Sequence, residues 1–245
     1  MTEIEPMTPA KSADPALERV LERALDRASD RAPDIFYPIV PNFDWMQRLV
    51  PLGVRTIQLR LKDADPGVVV KQIDASLKLC ADYNCQLIVN DYWQAAISCG
   101  ADYIHLGQED LTAADLAAIR RAGLRFGVST HSPEELGVAL KAEPTYVALG
   151  PVYETKLKKM PWAPQGLDRV TEWKAKIGQR PLVGIAGITV ERAPDVIAAG
   201  ADSVAVITDF VTHQDPEARV SEWLAWADAH RGVETKPDAD VPAAL

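Results

Sequence analysis

The chain has 245 residues, 47% of them hydrophobic, which suits one large domain with a sizeable core. Its 35 acidic against 26 basic residues give a formal charge of −9, which argues against non-specific nucleic-acid binding, since that needs a basic surface. No basic segment followed by an apolar stretch opens the chain and no long apolar run occurs, so neither a signal peptide nor a membrane span is expected.

The three cysteines, Cys80, Cys85 and Cys99, follow no zinc or redox spacing, and the expectation is a cytoplasmic protein with reduced, mostly buried thiols. Residues 1–33 read as an N-terminal extension, partly helical. After a polar start, Asp14 can cap, Pro15 suits the first turn, and Leu17, Val20, Leu21, Ala24 and Leu25 form one stripe.

From residue 34 the pattern alternates. Strands are expected over 35–40, 56–61, 86–89, 102–105, 124–128, 145–149, 182–185 and 203–207. Helices are expected between them, among them one over 190–199 that ends at Gly200. Asp65-Pro66 starts one whose inner face is Val70, Ile73, Leu77 and Cys80. Thr112-x-x-Asp115 reads as a capping box for a helix ending at Gly123, and Ser132-Pro133-x-Glu135 as a cap for the next. Asp215-Pro216 opens a last helix with Val220, Trp223, Leu224 and Ala227 inward. Eight short apolar strands alternating with amphipathic helices in this length predict a closed (β/α)8 TIM barrel over residues 34–230, in the α/β class, with the extra N-terminal helix outside it. Residues 231–245 form an acidic tail expected to be disordered.

In such a barrel the functional face is the set of residues just after each strand. The second strand ends in Gln58-Leu-Arg60-Leu-Lys62, and alternation sets Gln58, Arg60 and Lys62 on one side and the leucines on the other. Core-facing cations need anions. The third strand ends in Asn90-Asp91 and the fourth leads to Gln108-Glu109-Asp110, so Asp91 and Asp110 can reach one pocket. Two hard carboxylates suit Mg²⁺, whose octahedron substrate phosphates and water complete. Taken singly, each aspartate could equally cap the helix that follows. The fifth strand supplies Ser129, and the segment after the sixth carries Thr155 and Lys158. Small residues after the last two strands, Ala186-Gly187 and Ile207-Thr208, suit a phosphate held by backbone N–H groups. The pocket thus reads as one metal diphosphate site and one phosphate site. His105 reads as an internally satisfied histidine, and the other three histidines carry no pattern.

Five pieces in order match a known family: Gln58-Leu-Arg60-Leu-Lys62, Asn90-Asp91-Tyr-Trp, His105-Leu-Gly-Gln108-Glu-Asp110, Gly127-Val-Ser129-Thr-His131 and Pro164-Gln165-Gly166-Leu167. Over about residues 35–228 the chain resembles the thiamine phosphate synthases. The resemblance implies a transferase of thiamine biosynthesis. It would join hydroxymethylpyrimidine diphosphate to a thiazole phosphate by a dissociative, Mg²⁺-assisted substitution. By the same resemblance Gln58, Arg60, Lys62, Asn90, Ser129 and Lys158 hold the pyrimidine diphosphate, with Arg60, Lys62, Ser129 and Lys158 counted as catalytic. Asp91 and Asp110 hold the metal. Thr155, Gly187, Ile207 and Thr208 hold the thiazole phosphate. The implied partners are these small molecules, with no nucleic acid and no membrane; oligomeric state is left open.

The sequence departs from the family on one side only. The usual Thr-x-Thr-Lys is Thr155-Lys156-Leu157-Lys158, Glu154 stands where proline is common, Ala186-Gly187 replaces Gly-Gly, and Ile207-Thr208 replaces Ile-Ser. The expectation is a weak thiazole-phosphate site beside an ordinary diphosphate site. Two other readings compete: a tautomerase acting on thiazole phosphate alone, and a regulatory barrel that binds without turnover.

Overall fold

The computed structural model describes residues 32–155 and 162–231. The expected helix over 14–28, the tail beyond residue 231, and Lys156, Leu157, Lys158 and Lys159 lie outside the described residues.

Eight parallel strands close a barrel in chain order: β1 Phe36–Val40, β2 Thr56–Leu59, β3 Gln86–Asn90, β4 Tyr103–Leu106, β5 Arg125–Thr130, β6 Tyr146–Leu149, β7 Leu182–Ile185 and β8 Ser203–Val206. β8 pairs back with β1, Tyr37 opposite Ala205. The helices are α1 Phe43–Leu49, α2 Pro66–Asp82, α3 Trp93–Cys99, α4 Gln108–Ala113, α5 Leu116–Arg121, α6 Pro133–Lys141, α7 Gly166–Ile177, α8 Ala193–Ala198, α9 Thr208–Val211 and α10 Pro216–His230. The expected (β/α)8 barrel is therefore the observed fold. No helix among the described residues is long and apolar enough to cross a membrane.

The strands are buried on both faces and separate two cores. The larger lies between strands and helices and takes Ile57 and Leu59 from β2 and Val147 and Leu149 from β6. The smaller fills the barrel interior with Tyr37, Ile39, Ile88, Tyr103, Tyr146, Ala148, Val183 and Ala205. Fully burying an aliphatic side chain contributes about 1.5–3 kcal/mol. A slip of β2 by one residue would forfeit that for both Ile57 and Leu59, and would turn Gln58 and Arg60 away from the interior.

Local chemistry differs from expectation in two places. In α2 the buried face is Val69, Ile73, Ser76 and Cys80, while Val70 is exposed. Val69 and Val70 are adjacent at the edge of the helix, and it is Val69 that joins the outer core. The segment after β4 is two short helices, not one. Thr112 donates back to the Gln108 carbonyl inside α4, and Asp115 caps α5 by accepting from Ala118 N at 2.9 Å. Competition from the local acceptor removes Thr112 from the capping role. The Ser132 cap is present, and Glu135 accepts from the backbone N–H of His131 at 2.7 Å.

Across the β1–β8 closure, Asp34 accepts from Arg231 at 3.0 and 2.8 Å, and its carbonyl accepts from Ser203 Oγ at 2.7 Å. Cys80 and Cys85 are buried free thiols and Cys99 is half-buried.

Candidate active site

The residues that follow the strands line a cavity of about 870 Å³. Gln58, Arg60, Lys62, Asn90, Asp91, Asp110, Ser129, Thr155, Gly187, Ile207 and Thr208 all border it. Lys158 is the one proposed site residue outside the described part of the chain.

Asp91 sits at the tip of β3 with φ +63°, in the left-handed region that costs a non-glycine residue energy. Its N–H donates to the His105 carbonyl at 2.9 Å, which carries the chain across to β4. Its side chain does not cap the helix that follows it. α3 starts after Tyr92 with no side-chain cap, and Asn90 Nδ2 donates to Asp91 Oδ2. Asp110 lies in the first turn of α4, which starts after Gly107. A Cβ on Gly107 would come within 3.0 Å of Asp110 Oδ2. Burial first, then the charge and hydrogen bond of Asp110, push the Asp91 carboxyl up to about 6; Arg60 and the Gly107 N–H act the other way. Two carboxylates that repel each other are relieved by a cation between them. No cluster of three acidic, His or Cys side chains forms among the described residues. The donor set is thus two hard oxygen ligands, which fits Mg²⁺ completed by phosphates and water better than a metal caged by protein alone.

Beneath the cavity a chain of polar groups crosses the barrel. Gln58 Nε2 donates to Tyr37 Oη at 2.6 Å, Tyr37 Oη meets Tyr146 Oη at 3.0 Å, Tyr146 Oη meets His105 Nδ1 at 2.7 Å, and His105 Nε2 meets Ser129 Oγ at 2.7 Å. Burial, then the Arg60 charge, holds His105 down at about 3, so the ring is neutral near pH 7. Burial raises both tyrosines well above the usual phenol range. Gly127 makes room for this arrangement: a Cβ there would lie 2.0 Å from the Tyr146 ring. Gln108 Nε2 donates to the Ser129 carbonyl at 2.7 Å and fixes the β5 end. On the rim above it, His131 pairs with Glu135 at 2.8 Å and stacks on Trp162 at 5.8 Å.

The β7–β8 side is built differently. Ala186 and Gly187 have φ +77° and +67°. At Gly187 a side chain is also excluded by contact, since a Cβ would lie 2.5 Å from the Glu154 carbonyl oxygen. Tyr153 N donates to the Ala186 carbonyl at 3.1 Å and joins the two loops. Arg192 lies on the rim. It donates to the Gly187 carbonyl at 2.8 Å and covers Tyr153 at 4.8 Å, with no ion pair to any described acidic side chain. Behind Thr208, Asp209 is held by Arg219 at 2.8 Å and by Trp223 Nε1 at 2.7 Å.

Sequence reasoning missed Arg192 and the Tyr37–Tyr146 pair. Residues 190–199 read as one helix, whereas α8 begins at Ala193 and leaves Arg192 on a turn at the cavity mouth. Period-two alternation in the first and sixth strands was the available signal for the tyrosines.

The site and fold define a (β/α)8 barrel whose pocket, at the carboxyl ends of its strands, gathers paired carboxylates and cations. Comparison with known proteins gives the particular kind. A family profile described as thiamine monophosphate synthase matches residues 36–210. The thiamine-phosphate synthase of Rhizobium etli is 58% identical over 200 residues, covering 82% of this chain and 98% of that protein. That of Klebsiella pneumoniae is 46% identical over 193 residues, covering 79% and 92%. The solved thiamine phosphate pyrophosphorylase of Pyrococcus furiosus superposes with a TM-score of 0.71 at 25% identity, covering 81% and 98%. The chain belongs to the thiamine monophosphate synthase family and is a transferase of thiamine biosynthesis.

Proposed function

We propose that the chain joins hydroxymethylpyrimidine diphosphate to thiazole phosphate, giving thiamine phosphate and free diphosphate, with Mg²⁺ as cofactor. The observation that carries this reading is the Asp91–Asp110 pair beside Arg60 and Lys62 in one cavity with the Gly187–Thr208 end. A barrel acting on thiazole phosphate alone would have no use for that pair, and only Glu154 among the described lining residues favours a binding role without turnover.

In the reaction the C–O bond between the pyrimidine methylene and the diphosphate breaks, and its electron pair leaves with the diphosphate. The thiazole nitrogen then gives its lone pair to the methylene cation. Held by Asp91 and Asp110, Mg²⁺ would neutralise part of the leaving group's charge. Arg60 and Lys62 take the remaining diphosphate oxygens, with Lys158 as a further cation from the loop after β6. Asn90 holds Asp91 in place, and Ser129 offers a hydroxyl to the same oxygens. Gln58 faces the pyrimidine. Thr155 and Thr208 hydroxyls and the backbone around Gly187 and Ile207 hold the thiazole phosphate, and Arg192 adds the one cation of that side among the described residues. No side-chain nucleophile is needed. Positioning and charge stabilisation lower the barrier.

The test is incubation of the full chain with both substrates and Mg²⁺, reading thiamine phosphate and diphosphate together. One-to-one formation, dependent on both substrates, is expected. Turnover of thiazole phosphate without the pyrimidine substrate would replace this reading with the tautomerase.

A further inference from the structure

The polar chain beneath the cavity has a direction. An amide nitrogen only donates, so Tyr37 Oη accepts from Gln58 Nε2 at 2.6 Å and its single hydrogen is left for Tyr146. Tyr146, having accepted, gives its hydrogen to His105 Nδ1. A neutral imidazole with Nδ1 as acceptor carries its hydrogen on Nε2, and that hydrogen goes to Ser129 Oγ. The Ser129 hydrogen is then free for the cavity. At the other end Gln58 Oε1 makes no hydrogen bond among the described residues and is not sealed from the cavity that Gln58 lines. If the Gln58 amide turned over, every bond would reverse, and Ser129 would show lone pairs to a pocket that Arg60 and Lys62 furnish for anions.

We infer that Tyr37, Tyr146 and His105 are positioning residues, a one-way relay of hydrogen bonds that makes Ser129 a donor toward an anionic oxygen and Gln58 an acceptor toward an amino group. Resting on the function proposed above, this assigns the two ends to one substrate. The aminopyrimidine offers an N–H to Gln58 and its diphosphate an oxygen to Ser129. The relay thus acts on the pyrimidine substrate and leaves the thiazole phosphate alone.

The first readout needs no substrate. In the full-length chain labelled with ¹⁵N-histidine, His105 is expected as the Nε2–H tautomer with an unprotonated Nδ1. In Tyr146→Phe, which keeps the ring and removes one hydroxyl, that preference is lost. Kinetics supply the second. Tyr146→Phe and Tyr37→Phe are each expected to raise the pyrimidine-diphosphate KM up to about tenfold, the scale of one neutral hydrogen bond, with the thiazole-phosphate KM within about twofold. An Nδ1–H tautomer or a fast mixture in the wild type overturns the direction. Correct tautomer with unchanged KM in both variants, or equal rises for both substrates, overturns the positioning role. Should the chain make no thiamine phosphate, the proposed function fails, while the tautomer still decides the relay's direction.

Discussion

The two sides of the cavity are held by different means. From β2 to β5 the pocket is fixed by side chains bonded to side chains: Asn90 to Asp91, His105 to Ser129, Gln58 to Tyr37. From β6 to β8 it is fixed by backbone, with Ala186 and Gly187 in left-handed conformations and Glu154 packed on Gly187. Its one described cation, Arg192, lies exposed on the rim. The first side resists drift because Gln58, Asn90, Asp91 and Ser129 each have a partner that would be left unsatisfied. The second tolerates change in side chains and is sensitive to change in backbone angle. Of the departures from the family's usual residues, Glu154, Ala186 and Thr208 fall on this second side, and Leu157 follows β6 in the sequence.

The sharpest break of that contrast lies at the metal. Asp91→Ala and Asp110→Ala are each expected to cut Mg²⁺-dependent turnover by about a thousandfold or more, the scale of several kcal/mol of charge stabilisation. Thermal melts should confirm a folded barrel. Full turnover in either variant at ordinary Mg²⁺ would take that residue out of the metal site.

The cation from the long loop comes next. Lys158→Ala should lower kcat about a hundredfold, as removal of a donor to developing charge does, while Lys156→Ala and Lys159→Ala change little. Equal small effects from all three would make the loop a solvated charge run.

On the backbone-built side the effects shrink. Arg192→Ala should raise the thiazole-phosphate KM about tenfold, since a bond to a charged group contributes about 1.5–3 kcal/mol and exposure discounts it. The pyrimidine KM should hold. Leu157→Thr should move the thiazole KM the other way. If Leu157→Thr is neutral and Arg192→Ala is not, Arg192 has replaced the missing hydroxyl.

The smallest expected effect is conformational. Ala186 at φ +77° carries the strain of roughly 1–2 kcal/mol of a left-handed L-residue, partly offset by its lower chain entropy when unfolded. Ala186→Gly should therefore gain up to about 1 kcal/mol in denaturant unfolding, with kinetics unchanged. A loss of stability would mean that entropy outweighs strain there.

The same contrast explains what could be read from the chain alone. Gln58, Arg60 and Lys62 were legible because alternation fixes which face they take; β2 ends at Leu59, short of the expected strand's end, but the alternation carries on to Leu61, and both leucines are buried in the outer core. Asp91 and Asp110 were legible as strand-end carboxylates, although neither their mutual repulsion nor the left-handed φ of Asp91 is written in any local pattern. The relay was not legible. Tyr37 and Tyr146 are 109 residues apart, and two tyrosines inside a barrel look like ordinary core until their hydroxyls are seen to meet. Arg192 was hidden by a boundary, since the turn Val190-Glu191-Arg192 before α8 extends its helical pattern too far. Val70 and Thr112 were misread because single positions at a helix edge or end are decided by packing and by the nearest acceptor.

The Asp34 junction bears on how the molecule assembles in time. Each strand from β2 onward can pair with the one just before it in the chain, but β1 waits for β8, and the Arg231–Asp34 bonds link residues 197 positions apart. Closing so long a loop costs entropy that only a largely built ring repays. The junction is therefore expected to form late on the folding route, after the transition state. Weakening it with Arg231→Ala should speed unfolding and leave the refolding rate nearly untouched. The contact that completes the ring thereby sets how long the ring lasts, and has little say in how fast it forms.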